Sequence, residues 1–162
     1  MEERNTAGKA DRSRIKKKGE YNMSKVAVVY WSGTGNTEIM ASAVAEGIRE
    51  AGGEAEMISV SGFSANAVNG YDAIAWGCPA MGDEVLEESE FQPVWDDCKG
   101  KLGSKKIALF GSYGWGDGLW IRDWEKECRD LGLNLACDFV MANDSPDEEA
   151  REACIALGKA LA

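Results

Sequence analysis

A chain of 162 residues is long enough to bury one core without disulfides or a structural metal. Its 18 Lys and Arg against 28 Asp and Glu leave a net charge of −10, divided unevenly: +3 over residues 1–22 and −13 over residues 23–162. So acidic a body excludes general nucleic-acid binding and adhesion to an anionic membrane face, no apolar run nears the roughly 20 residues that span a bilayer, and a basic protein partner is favoured.

Residues 1–22 contain Arg14-Ile15-Lys16-Lys17-Lys18 and almost no apolar side chain, so a disordered basic extension is expected ahead of a single domain over 23–162. The run Val26-Ala27-Val28-Val29-Tyr30 reads as the first strand. After Trp31 to Thr37, a helix is marked by Ile39, Met40, Ala43, Val44, Gly47, Ile48 and Ala51 along one face, and Gly52-Gly53 stops it. Residues 54–60 alternate polar and apolar, as an edge strand does. Residues 73–78 and 107–110 are apolar without a break, as interior strands covered on both faces are. Residues 135–141, interrupted by Asp138, read as the other edge. Two helices lie between, marked by Phe91, Val94, Trp95 and Cys98 and by Trp120, Trp124, Cys128 and Leu131. A last helix follows the capping box Ser145-Pro146-Asp147-Glu148 and buries Ala150, Ala153, Cys154 and Leu157. Strands alternating with helices predict an α/β fold with a parallel sheet, strands one, three and four inside and two and five outside. Five cysteines with no Cys-x-x-Cys pair fit reduced thiols in a cytoplasmic protein.

The stretch Trp31-Ser32-Gly33-Thr34-Gly35-Asn36-Thr37 joins a strand to a helix N-terminus. Two glycines let successive N–H groups turn into one concavity, and the helix dipole adds its positive pole. Ser32, Thr34, Asn36 and Thr37 add neutral donors, so the loop suits a phosphate although it holds no Lys or Arg. A triphosphate loop would need Gly-Lys-Ser/Thr, and a dinucleotide fingerprint would need a third glycine where Glu38 stands. In a parallel sheet whose order reverses between strands one and three, the loops after strands one, three and four meet outside the carboxyl ends. Those after three and four are Pro79-Ala80-Met81-Gly82-Asp83-Glu84 and Gly111-Ser112-Tyr113-Gly114-Trp115-Gly116-Asp117. Trp115, set between two glycines, offers an indole face suited to a planar ring, whereas Trp76, Trp95, Trp120 and Trp124 fit core positions and Trp31 is undecided.

These three stretches, in this order over residues 24–162, resemble the phosphate loop and the two flavin-ring loops of the flavodoxins, closest to the short-chain clostridial type. Flavodoxins are themselves the standard case of a doubly wound five-stranded sheet in the order 2-1-3-4-5, helices on both faces, with FMN at the switch point, so the resemblance implies that architecture and that cofactor. By the same resemblance Ser32, Gly33, Thr34, Gly35, Asn36 and Thr37 hold the phosphate. Ala80, Met81, Gly82, Asp83 and Glu84 cover one side of the ring, with Glu84 accepting the flavin N3–H and the Gly82 carbonyl meeting N5–H after one-electron reduction. Ser112, Tyr113, Gly114, Trp115, Gly116 and Asp117 form the other side, and Asn143 joins the contacts. Pro79 stands where short-chain flavodoxins commonly have Ser, so a hydroxyl contact to the phosphate is absent there.

The implied function is low-potential one-electron transfer, between semiquinone and hydroquinone, by a monomer that docks on basic redox partner proteins and binds neither nucleic acid nor membrane. It is an electron carrier rather than an enzyme. The alternative on the same fold is an FMN-dependent NAD(P)H:quinone-type reductase, for which the chain has little spare loop length. A phosphoacceptor signalling domain is excluded, because the first strand ends in Tyr30-Trp31 instead of acidic residues.

Overall fold

Alternate residues of the first strand point to opposite faces, and Val26, Ala27, Val28 and Val29 are all fully buried, so the sheet is covered on both sides. The computed structural model describes residues 23–162; the expected disorder of residues 1–22 lies outside them. The elements are β1 (Lys25–Tyr30), α1 (Asn36–Glu50), β2 (Glu54–Ser59), two 3-10 turns (Val60–Gly62 and Ala65–Gly70), β3 (Ala73–Gly77), α2 (Phe91–Lys99), β4 (Lys106–Tyr113), α3 (Leu119–Asp130), β5 (Asn134–Leu135), β6 (Val140–Asn143) and α4 (Glu148–Leu161). Every named strand pairing is parallel, and the order is β2-β1-β3-β4-β5, with β6 also on β4. The interior strands are those the apolar patterns predict, and the order is the one the resemblance implies.

Val26, Val28, Ala75, Ala108 and Phe110 pack under α1 and α4, while Ala27, Val29, Ile74, Trp76 and Leu109 pack under α2 and α3. On the second face Trp76, Trp95, Trp120 and Trp124 are buried, as their spacing predicts. Trp76 meets Trp95 at 5.2 Å and 77°, and Trp124 meets Phe91 at 5.4 Å and 86°. Such edge-to-face pairs add about 0.5–1.5 kcal/mol each beyond the area they bury. The Trp76 and Trp124 indole N–H groups are buried without a hydrogen-bond partner among the described residues, and both rings belong to near-perpendicular pairs where an N–H can point at a neighbouring ring face.

Four details differ from the sequence reading. The single final strand is split: the chain advances from Leu135 to Val140 while β4 advances only from Ile107 to Phe110, so the surplus residues, exposed Asp138 among them, loop out between β5 and β6. The α4 cap is Asp147, whose extended backbone lets its carboxylate accept the Ala150 N–H at 2.8 Å; Ser145 and Pro146 stay outside the helix. Ile39 is half exposed and Ala51 lies just past α1, because the buried face centres on Met40, Val44, Gly47 and Ile48. Leu131 likewise follows the end of α3 and is exposed. The five cysteines are free thiols, four of them buried. No helix among the described residues is long and apolar enough to cross a membrane.

Candidate functional site

The loop after β1 is folded on itself by Ser32, whose Oγ accepts the N–H of Gly35 at 3.1 Å and of Glu38 at 3.2 Å. That curl needs a left-handed residue, and Gly35 supplies it with φ 100°. The N–H groups of Gly33, Thr34 and Thr37 find no partner among the described residues, so the loop presents unpaired donors at the positive end of α1. Thr37 is only 1% exposed, and its Oγ1 lies 2.9 Å from Ser112 Oγ and accepts the Ser112 N–H at 3.4 Å. This buried hydroxyl pair stitches the loop after β1 to the end of β4. Thr37 Oγ1 can take both the Ser112 N–H and the Ser112 hydroxyl proton, which leaves its own proton for an anion.

The loop after β3 is a closed hairpin: Met81 N–H donates to the Val85 carbonyl at 2.8 Å and Val85 N–H returns to Met81 at 2.9 Å. Both ends of the enclosed turn are left-handed, Gly82 at φ 51° and Glu84 at φ 57°. For Glu84 this costs roughly 1–2 kcal/mol. Its Oε1 accepts the Leu119 N–H at 2.9 Å, at the first turn of α3, which offsets the strain and ties the two ring loops together. A Cβ on Gly116 would strike that carboxylate. The hairpin is anchored behind by Glu87, 7% exposed, whose carboxylate accepts the N–H groups of Ser89, Glu90 and Phe91 at 2.8–2.9 Å. Burial pushes the Glu87 carboxyl up, but the bonds from Phe91, Glu90 and Ser89 outweigh it and hold the group below the usual carboxylate range. Cys78 is fully buried, and burial pushes its thiol far above the usual range, so it is no nucleophile.

The loop after β4 begins where Asp144 N–H grips the Tyr113 carbonyl at 2.7 Å. The Tyr113 ring rests on Trp120, whose Nε1 donates to the Cys78 carbonyl at 3.0 Å. Beyond it Trp115 is 64% exposed, and Met81 in the loop after β3 is 36% exposed, two large apolar groups with little protein against them.

The three loops enclose a crevice of about 200 Å³ outside the carboxyl ends of β1, β3 and β4. Gly33, Thr34, Asn36, Thr37, Ala80, Met81, Ser112, Tyr113 and Gly114 line it. Of the remaining residues expected from the sequence, Ser32 and Gly35 shape the first loop from behind. Gly82, Asp83, Trp115, Gly116 and Asp117 lie in the two ring loops without lining the crevice, Glu84 lines a separate pocket of about 170 Å³ with Gln92, Trp120 and Trp124, and Asn143 lines a groove of about 470 Å³ between β6 and α4. That groove is larger, but it is lined by the carboxylates of Asp147 and Glu149, which oppose a phosphate. Sequence reasoning missed Asp144, which lines the crevice in a left-handed conformation at φ 56°; the turn-prone run Asn143-Asp144-Ser145-Pro146 was its signal. Trp31 also lines it, half buried, with its indole N–H on Glu90 Oε1 at 2.8 Å. Unpaired amides in the first loop and exposed Met81 and Trp115 in the other two fit a group with a phosphate and a flat ring, as FMN has.

The comparisons with known proteins agree. The family model described as Flavodoxin matches residues 28–158. The flavodoxin of Clostridium beijerinckii is 47% identical over 135 residues, covering 83% of this chain and 97% of the relative. That of Megasphaera elsdenii is 41% identical over 137 residues, covering 85% and 98%. The solution structure of two-electron reduced Megasphaera elsdenii flavodoxin matches with a TM-score of 0.77 at 40% identity, over 84% of this chain and 97% of that one.

Proposed function

The chain belongs to the flavodoxin family, whose members carry electrons on bound FMN, and from that premise we propose that it is a low-potential one-electron carrier between proteins, with no small-molecule substrate of its own. When bound, FMN supplies the redox chemistry through its isoalloxazine ring. The chain's own residues bind, orient and shield it. The unpaired amides of Gly33, Thr34 and Thr37, with the hydroxyls of Thr34 and Thr37 and the Asn36 amide, would hold the phosphate, on a loop whose curl Ser32 sets. Met81 and Trp115 flank the ring. Glu84, whose Oε1 accepts the Leu119 N–H, would accept the ring N3–H, and Gly82 would offer its carbonyl at N5. The observation that carries this reading is the convergence of the three loops on one crevice at the sheet's switch point.

Low potential follows from the acids at the rims, Asp83, Glu84, Asp117 and Asp144. A carboxylate about 10 Å from the ring, at an effective dielectric near 20, raises the cost of an added electron by about 1.7 kcal/mol, or roughly 70 mV, before salt screening. The same field draws basic partner surfaces to the ring edge. The protein is a cytoplasmic monomer whose FMN-binding unit is residues 23–162. Family membership favours the carrier over the quinone-reductase reading. The visible spectrum of the purified chain, followed by mixing with NAD(P)H and a quinone, tests both points: flavin bands with no NAD(P)H consumption are expected, and steady consumption would favour the reductase.

A further inference from the structure

Arg122, in the first turn of α3, reaches back and grips Asp117 with both arms of its guanidinium. Nη1 donates to the Asp117 carbonyl at 2.7 Å and Nη2 to Oδ1 at 3.0 Å. Among the described residues it is the one Lys or Arg side chain hydrogen-bonded to any of the three crevice loops. Little else holds that stretch. From Gly114 to Gly116 no backbone N–H or carbonyl has a partner among the described residues, and Gly116 and Gly118 are left-handed at φ 87° and 101°. The span carrying Trp115 is therefore fastened at two points, Tyr113 by the Asp144 N–H and Asp117 by Arg122. The guanidinium also packs on the loop backbone, for a Cβ on Gly118 would fall 3.1 Å from Nη1.

We propose that Arg122 is a positioning residue for the Trp115 wall of the crevice, and that its charge keeps the potential of bound FMN above the value the neighbouring carboxylates alone would set. This rests on the reading of Trp115 as a wall of the flavin site. The planar fork sets one nitrogen on the Asp117 carbonyl and another on its carboxylate, whereas lysine would keep the charge but offer a single, unoriented nitrogen to both. Because the pair is exposed, at 47% and 82%, it adds little to global stability, and its effect falls on the order of the loop.

The test compares the full chain with Arg122→Lys, Arg122→Gln and, as a control for lost charge farther along α3, Arg129→Gln, where Arg129 pairs with Glu125 at 3.1 Å. Amide exchange at residues 114–118 is measured on flavin-free protein, and FMN release, flavin fluorescence and both one-electron potentials on loaded protein. Both Arg122 variants should exchange faster in that stretch and release FMN roughly two- to fivefold faster, the range an exposed ion pair carries. Only Arg122→Gln should also move the second potential to more negative values, and by more than Arg129→Gln does. Unchanged exchange and release in both Arg122 variants would overturn the clasp. Equal potential shifts in the Lys and Gln variants, or in Arg129→Gln, would overturn the role of the charge. Failure of the parent chain to bind FMN would instead overturn the reading of the crevice.

Discussion

Glu87 should dominate the acid sensitivity of the β3–α2 connection. Among the described residues its carboxylate is the sole acceptor for three consecutive N–H groups, with Oε2 on Ser89 and Oε1 on Glu90 and Phe91. Bonds to a charged acceptor contribute about 1.5–3 kcal/mol each when desolvated, but an amide freed at this rim can partly rehydrate, so Glu87→Ala should cost about 3–4 kcal/mol in total. Glu87→Gln can keep both bonds at Oε1 while its NH₂ faces the Ser89 N–H; losing one bond and the charge on the others should cost about 2 kcal/mol. The sign of the pH effect follows from the depressed carboxyl. The folded chain binds fewer protons at Glu87 than the unfolded chain does, so its contribution is full above the ordinary Glu pKa of about 4.3 and vanishes as pH falls through the folded value. Urea unfolding of the flavin-free parent and Glu87→Gln, repeated in steps from neutral to acid pH, should show a gap that closes on acidification. A gap constant across that range would refute the argument, because it would make the bonds independent of the charge.

Other consequences can be measured on the same preparations. FMN should bind far more tightly than riboflavin, and Thr34→Ala with Thr37→Ala should erode that preference, Thr37 contributing more because its hydroxyl also holds Ser112; equal affinities for FMN and riboflavin in the parent would exclude the phosphate assignment. Trp115→Ala should weaken FMN binding by roughly 1–3 kcal/mol and restore flavin fluorescence, and unchanged quenching would rule out the stack. Gly82→Ala meets open space, so its penalty is the backbone one of roughly 1–2 kcal/mol. If the left-handed turn is what offers the Gly82 carbonyl to N5, the first one-electron potential should become more negative by about 40–90 mV, and an unchanged value would move that contact to another residue.

Much of the fold was legible because it depends on local pattern. Unbroken apolar runs at residues 73–78 and 107–110 identify strands buried on both faces, and the alternation at residues 54–60 identifies an edge, while the order of the strands came only with the family resemblance. The crevice was legible for a related reason: its glycines and donors lie in short runs at strand ends. What escaped was set by partners distant in sequence. Thr37 reads as a surface donor until the fold brings Ser112 against it, 75 residues on. Glu84 reads as an acceptor for the flavin N3–H, and only the fold shows that α3 starts beside it and donates the Leu119 N–H; Arg122 lies on a helix, outside every loop motif, yet turns back onto Asp117. The split between β5 and β6 was foreshadowed only by Asp138, since a loop-out depends on how far the partner strand advances as well as on local residues.

The most direct test of the account is a potentiometric titration of the FMN-loaded chain, followed by visible absorption. Two separated one-electron steps are expected, the second well below that of free FMN, because the rim carboxylates oppose the added negative charge. A single two-electron step at or above the potential of free FMN would contradict the assignment as a low-potential one-electron carrier.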